Sequence, residues 1–171
     1  MNERQKHGFI FEDTYIRENG LIKDENYTGQ FDAYKDGVPY QIKTIKKDSA
    51  IDMGDYFRNA EKDRDFFLVI GFWQGKKDNI VEIVKLFVVC DEWKKMLSFD
   101  FSKELKNWIT NEVSNSYDYD KQWKNEMRYF KKKWGKRKIQ LRFKRDHKSQ
   151  RRIQCAINKK DFNYFVGRFS G

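Results

Sequence analysis

Apolar positions recur along the chain with two spacings, and each change of spacing predicts a new element. Over residues 3–19 the spacing is helical: Phe9, Glu12 and Ile16 share one stripe, and Phe11 and Tyr15, four apart, are core candidates. An acid on such a stripe is either a solvated edge residue or is aimed at something cationic. Gly20 stands where a helix-ending glycine belongs. From Thr28 to Lys47, TGQFDAYKDGVPYQIKTIKK, the spacing drops to two. Asp36-Gly37 in its middle tolerates positive φ and predicts a tight hairpin. That turn sets a register: Lys35 opposite Val38, Tyr34 opposite Pro39, Ala33 opposite Tyr40, Asp32 opposite Gln41. Alternation then places Phe31, Ala33, Tyr40, Ile42 and Thr44 on an apolar face. The other face carries Gln30, Asp32, Tyr34, Gln41 and Lys43.

Residues 21–27 read as a polar connection. A helix capped by Asp48 or Ser49 is predicted over 50–62, with Ile51, Met53, Tyr56, Phe57 and Ala60 on its apolar side, although Gly54 interrupts it. The apolar run 66–73 predicts a buried strand, and 80–90, beyond a polar turn, a second strand paired with it. A helix between the first hairpin and that run makes a strand–helix–strand unit, which predicts a mixed sheet. Residues 91–97 suit a short helix or turn. Ser102 is placed to cap a helix reaching about 114, and 111–120 is a polar loop. Asp118 or Asp120 starts a further helix through Trp134, closed by Gly135, with Trp123, Met127, Phe130 and Trp134 as its apolar stripe. Residues 139–144 and 151–157 alternate as a basic β-hairpin, and 158–168 form a last short helix.

Charge adds a partner to this picture. Of 171 residues 36% are charged and the formal net charge is +10, but unevenly placed. Residues 121–160 hold 17 Lys and Arg against Glu126 and Asp146, while the remainder holds 19 basic and 24 acidic side chains. A basic segment on a mildly acidic body predicts a polyanion met mainly by that segment. Lys46, Lys131, Lys132, Lys133, Arg137 and Lys144 are suited to phosphates. Arg142, Arg145, Arg151 and Arg152 are suited to phosphates and to guanine edges, which accept a forked guanidinium. Cys90 and Cys155 lie far apart with no CxxC, and His7 and His147 are the two histidines, so zinc ligation and a disulfide framework lack residues. No window has the unbroken apolar length of a membrane span, and MNERQKHG holds no secretory h-region. These features predict a reduced, cytoplasmic protein with no membrane partner.

The polar face of the first hairpin can do chemistry. Asp32 can hold a hard cation through a carboxylate oxygen, with the Gln41 amide oxygen and the Ile42 backbone carbonyl as further oxygen donors. Lys43 can orient or help deprotonate a water, or offset charge developing on a phosphate. A half-solvated structural hairpin would carry the same residues, so both readings stand at this level.

Asp32 followed by Gln41-Ile42-Lys43 on the next strand resembles the core of the PD-(D/E)xK nuclease superfamily. Phe31 stands where that pattern commonly has proline and Gln41 where it has an acid. In this the chain is similar to the Mrr-type branch, which reads Asp…Gln-x-Lys. Gly8-Phe9-Ile10-Phe11-Glu12 likewise resembles the Gly-x-x-Phe-Glu signature on the first helix of that branch. The likeness covers residues 7–73. It implies an α/β (mixed α+β) restriction-endonuclease-like core, a central mixed sheet flanked by helices, over residues 1–100. Residues 101–171 would then be a basic helix and β-hairpin for DNA recognition, packed on that core as one domain. It further implies that Asp32, Gln41, Lys43 and Glu12 are catalytic. Asp32, Gln41, Ile42 and Glu12 would hold Mg2+, with Mn2+ able to take its place. The implied activity is sequence-specific, Mg-dependent cleavage of double-stranded DNA by a homodimer of the type II restriction kind. Two other readings remain at this stage: a non-catalytic DNA- or RNA-binding protein, and a junction-resolving or nicking nuclease.

Overall fold

The computed structural model describes residues 3–26, 29–97, 99–109, 119–146 and 150–170. In chain order these form α1 (Glu3–Glu18), β1 (Ile22–Lys23), β2 (Ala33–Lys35), β3 (Val38–Lys46), β4 (Ile51–Asp55) and α2 (Tyr56–Ala60). There follow β5 (Phe66–Trp73), β6 (Ile80–Val88), α3 (Cys90–Leu97), α4 (Phe99–Asn107), α5 (Tyr119–Trp134), β7 (Ile139–Asp146), β8 (Gln150–Ile157) and α6 (Phe162–Phe169). The protein is thus mixed α/β, with a five-stranded sheet in the order β1-β2-β3-β5-β6 and a three-stranded sheet in the order β4-β8-β7.

The first hairpin has the expected register: Ala33, Tyr34 and Lys35 face Tyr40, Pro39 and Val38. Asp36 and Gly37 take φ of 51° and 78°, the left-handed pair a tight two-residue turn requires. β3 then runs parallel to β5 and β5 antiparallel to β6. A parallel neighbour needs a crossover, and β4 with α2 supplies it.

That crossover differs from expectation. Residues 50–62 are a strand and then one short helix, not a single helix. Ile51 and Met53 alternate into the core with period two, and Gly54 takes φ of 80°, which no helix interior accommodates. Asp55 then caps α2, its Oδ1 accepting from the Arg58 amide at 2.8 Å. The strand has a partner that local sequence could not name: β4 pairs with β8 from the far end of the chain. Three smaller corrections share this origin. Ser102 lies buried within α4 instead of capping it. The connection 21–27 contains β1, which adds an edge to β2. Phe31 leaves the face of Ala33 and packs beside Tyr34 and Phe66 on the opposite side, because the backbone bends before β2 begins. Much of the predicted loop 111–120 lies outside the described residues.

Two apolar layers hold the five-stranded sheet. On one face α1 buries Phe11 and Ile16 against Ala33, Tyr40, Ile42 and Val69. The close approach depends on Gly71, where a Cβ would fall 2.6 Å from the Phe11 ring. The other face belongs to a larger cluster joining Phe31, Phe66 and Leu68 to Ile51, Trp93, Trp134, Ile157 and Phe165. Each such buried large side chain contributes about 1.5–3 kcal/mol. The cluster runs from residue 31 to residue 169, so the basic hairpin and α5 share a core with the first sheet. Of the predicted stripe on α5, Trp123, Phe130 and Trp134 are each 5% exposed or less, while Met127 is half-buried. Among the described residues no helix is long and apolar enough to cross a membrane.

Candidate active site

The chain reaches Asp32 from a bend, since β2 begins only at Ala33. Its backbone is fixed on both sides: the amide donates to the Tyr40 carbonyl and the carbonyl accepts from the Asp24 amide, each at 2.9 Å. Beyond the end of β2 the amide of Ile42 meets no strand partner on that side. The Asp32 carboxylate takes it, Oδ2 accepting from the Ile42 amide at 2.6 Å. A charge-assisted bond to a strand backbone fixes the carboxylate's orientation and leaves Oδ1 for other use.

Asp32 opens onto a cavity of about 640 Å³ between α1 and α2, lined also by Glu12, Lys23, Asp24 and Arg58. Glu12 comes from α1, its side chain 17% exposed. Lys23 stands 3.7 Å from it while bonding Asp13 at 2.5 Å. Burial, and then the negative charge of Asp32, hold the Glu12 carboxyl above its ordinary value, against the opposing charges of Lys23 and Lys43. Glu12 thus lines the same cavity as Asp32 and feels its charge.

Lys43, half-buried on β3 in register with Ile70, couples to Glu12 and to a residue that pattern reading passed over, Lys62. Lys62 is fully buried, its ammonium donating to the Gln30 carbonyl at 2.8 Å. Burial, and then the charge of Lys43, lower its pKa to about 7, with Asp32 opposing. Glu12, Asp32, Lys43 and Lys62 therefore form one electrostatic group built from α1, the bend before β2, β3 and the segment after α2.

Gln41 takes a different position. It is 6% exposed, in register with Leu68 of β5, and does not line the cavity. Its Oε1 is buried without a hydrogen-bond partner. Such an oxygen costs about 1–3 kcal/mol in lost hydration, and a cation or a donor would relieve that cost. Within the cavity the donor chemistry, the carboxylates of Glu12 and Asp32, suits a hard divalent ion, while the Gln41 oxygen lies outside the cavity lining. Among the described residues no three His, Cys, Asp or Glu groups cluster as a metal site.

The basic residues are dispersed over several elements. Lys131 and Lys132 are exposed on α5, Lys131 lying over the Phe143 ring at 5.9 Å, and Arg142 and Lys144 are half-buried on β7. Lys133 pairs with Glu104, and Arg137 donates to the Trp134 carbonyl at 2.8 Å and stacks on its ring at 4.5 Å. Lys46 ends β3 over Trp73, at 5.8 Å, apart from the hairpin. Arg152 is exposed on β8 opposite Lys144. Arg145 and Arg151 face each other in the ladder, with side chains outside the described residues. β4 joins the two regions: Asp55, which caps the helix carrying Arg58, is in register with Gln154 of β8.

Lys62 and Arg58 are the site residues that pattern reading missed. Both belong to the charged run after Tyr56, and no periodicity separates a buried lysine there from its solvated neighbours. Comparison of the chain with family models, with curated proteins and with solved structures finds no match in any of the three.

Proposed function

We propose that the protein is a Mg-dependent endonuclease acting on double-stranded DNA at specific sequences, similar in kind to the PD-(D/E)xK enzymes with an Asp…Gln-x-Lys site. One observation carries this reading. Asp32 is locked by its bond to the Ile42 amide and lines one open cavity with Glu12, whose carboxyl feels the charges of Asp32 and Lys43. A structural hairpin has no need to hold two carboxylates in mutual repulsion at partial burial.

Glu12 and Asp32 would hold the divalent ion, with the Gln41 amide and a backbone carbonyl as neutral donors. When bound, that ion stabilises negative charge at a phosphate and lowers the pKa of a ligated water. The protein's own residues do the rest. Asp32 would fix the place of that ion, since its carboxylate cannot turn without losing the Ile42 amide. Lys43 presents an ammonium beside the carboxylates, where it can orient the attacking water and offset charge on the phosphate oxygens. Arg58, which also lines the cavity, is suited to a flanking phosphate.

Lys131, Lys132, Arg142, Lys144 and Arg152 would track the duplex backbone, with arginines of the hairpin reading base edges. A chain with one such site cuts one strand, so cleavage of both strands at a palindromic sequence calls for a homodimer.

The test is incubation of supercoiled plasmid with Mg2+ or Mn2+, comparing wild type with Asp32→Ala and Lys43→Ala. Discrete fragments from wild type and loss of cutting with retained DNA binding in both variants are expected. Variants that cut as well as wild type would remove Asp32 and Lys43 from the chemistry. Salt-sensitive binding with no cutting by wild type would leave a non-catalytic nucleic-acid-binding protein, and nicks confined to branched substrates a junction nuclease.

A further inference from the structure

The core wall behind Asp32 is made of Phe31, Phe66 and Trp93, and a lysine stands among them. Lys62 is 0% exposed, and among the described residues no carboxylate lies within ion-pair distance of it. Burying an unpaired ammonium is costly, and a methionine of similar length would fill the space without that cost. What the ammonium does have is the Gln30 carbonyl at 2.8 Å, with the rings of Phe31 and Phe66 at 4.7 and 5.2 Å. The contact is reciprocated: Gln30 Nε2 donates back to the Glu61 carbonyl at 3.2 Å. The far side of Lys62 is anchored too, its carbonyl accepting from Cys90 Sγ at 3.2 Å.

These bonds join two segments that have no ladder between them, and one of them leads directly into Asp32. Residues 29–32 precede β2 and are held by no sheet partner until the Asp32 amide reaches Tyr40. We propose that Lys62 is the positioning residue of the Asp32 carboxylate: by holding the Gln30 carbonyl it sets the bend that turns Asp32 onto the Ile42 amide and toward the cavity. The importance of this for catalysis rests on the nuclease reading, but the mechanical link does not. Protonated or neutral, a lysine amine can donate to a carbonyl, so the clamp does not depend on the charge state of Lys62. The charged and titratable groups around it are Lys43 on β3, Asp32 before β2, Arg58 on α2 and Cys155 on β8.

The experiment follows the Ile42 amide by NMR in the full chain, with neither metal nor DNA present, in wild type, Lys62→Met and Lys62→Leu. In a folded variant the Ile42 amide proton is expected to move upfield and exchange about 10-fold faster or more, while amides of the β5–β6 ladder stay unchanged. With Mg2+ and DNA, kcat should fall by about 10- to 100-fold at unchanged KM, because a displaced catalytic group costs rate without touching the basic hairpin. An unchanged Ile42 amide in either folded variant overturns the proposal. Failure of both variants to fold also overturns it, since Lys62 would then serve the fold as a whole. If wild type cuts no DNA while the Ile42 amide responds as expected, the nuclease reading fails and the Lys62–Asp32 link stands.

Discussion

The two charged regions of this protein are built in opposite ways. Around Asp32 the charges are few and partly buried. Asp32 and Lys62 are tied to backbone groups, at Ile42 and Gln30, and Glu12 faces Asp32 at close enough range to be perturbed by it. Along α5 and the β7–β8 hairpin the charges are many, and Lys131 and Lys132 stand out in solvent. An exposed lysine acts through summed charge, which salt screens and which tolerates the loss of any one member. A held carboxylate acts through its position, and position is lost at a single substitution. The two regions thus differ in build: tied, partly buried charges beside the first sheet, and many charges on α5 and the second sheet.

The sharpest way to break this comparison is Asp32→Ala. On the nuclease reading it removes a metal ligand and the bond to the Ile42 amide in the middle of β3, and cleavage should fall by roughly 10³-fold or more. DNA affinity in a gel shift without Mg2+ should change little, or rise, because a negative charge has gone. A comparable loss of binding would mean that the acid end belongs to the DNA-contact surface.

The mirror experiment is Lys131→Ala/Lys132→Ala/Arg142→Ala. If these three side chains contact phosphates as proposed, their loss should lower the slope of log affinity against log salt by about 2–3 and weaken binding by about 10- to 1000-fold at physiological ionic strength. Cutting at saturating protein should be almost as fast as before. A variant with an unchanged salt slope would move the DNA contact elsewhere on the protein.

Next in size is Gly71→Ala. The new Cβ would lie 2.6–2.8 Å from three atoms of the Phe11 ring, and the ring is held between α1 and the sheet. Overpacking of this kind costs about 1–3 kcal/mol. Phe11 precedes Glu12, so any shift of α1 that relieves the clash also moves a carboxylate. A lowered melting temperature with reduced cutting and intact DNA binding is expected. A melting temperature equal to wild type would mean that α1 sits less tightly on β5 than the geometry requires.

The sequence makes legible what local rules determine. The Asp-Gly turn fixed the Ala33–Tyr40 register because its two left-handed residues leave one pairing open. The α5 stripe was readable because Trp123, Phe130 and Trp134 share one helical side. Residues 50–62 misled because Ile51, Met53, Tyr56 and Ala60 satisfy a helical spacing as well as a strand followed by a turn of helix. The deciding facts were the positive φ of Gly54 and a partner strand about a hundred residues away. The site divides along the same line. Asp32, Lys43 and Glu12 were identified from a resemblance and a register, and the fold brings all three into one electrostatic group. Lys62 was invisible, because only tertiary burial distinguishes it from Lys46 or Lys47. Gln41 is readable as a residue but not as an orphan: that its oxygen is buried without a hydrogen-bond partner is set by tertiary packing, which no local pattern encodes.

The smallest expected effect concerns Glu12 and reads the site without any DNA. Its folded pKa is raised, by burial and then by Asp32, so the folded protein holds that proton more tightly than the unfolded chain does. The sign follows from linkage. Relative to an unperturbed carboxyl, the group favours folding below its unfolded value near 4.5, and that contribution is lost as pH rises through the higher folded value. At neutral pH the charged Glu12 therefore opposes folding of the metal-free protein, and Glu12→Gln should raise its melting temperature by about 2 °C at pH 7. The gain should shrink toward pH 4, where wild type carries a neutral carboxyl as well. Added Mg2+ should reverse the order, stabilising wild type more than the variant, because a divalent ion turns the repulsion between Glu12 and Asp32 into shared ligation. A melting curve indifferent to pH, to the substitution and to Mg2+ would remove Glu12 from the acid end, and with it half of the charge that a divalent ion would have to meet there.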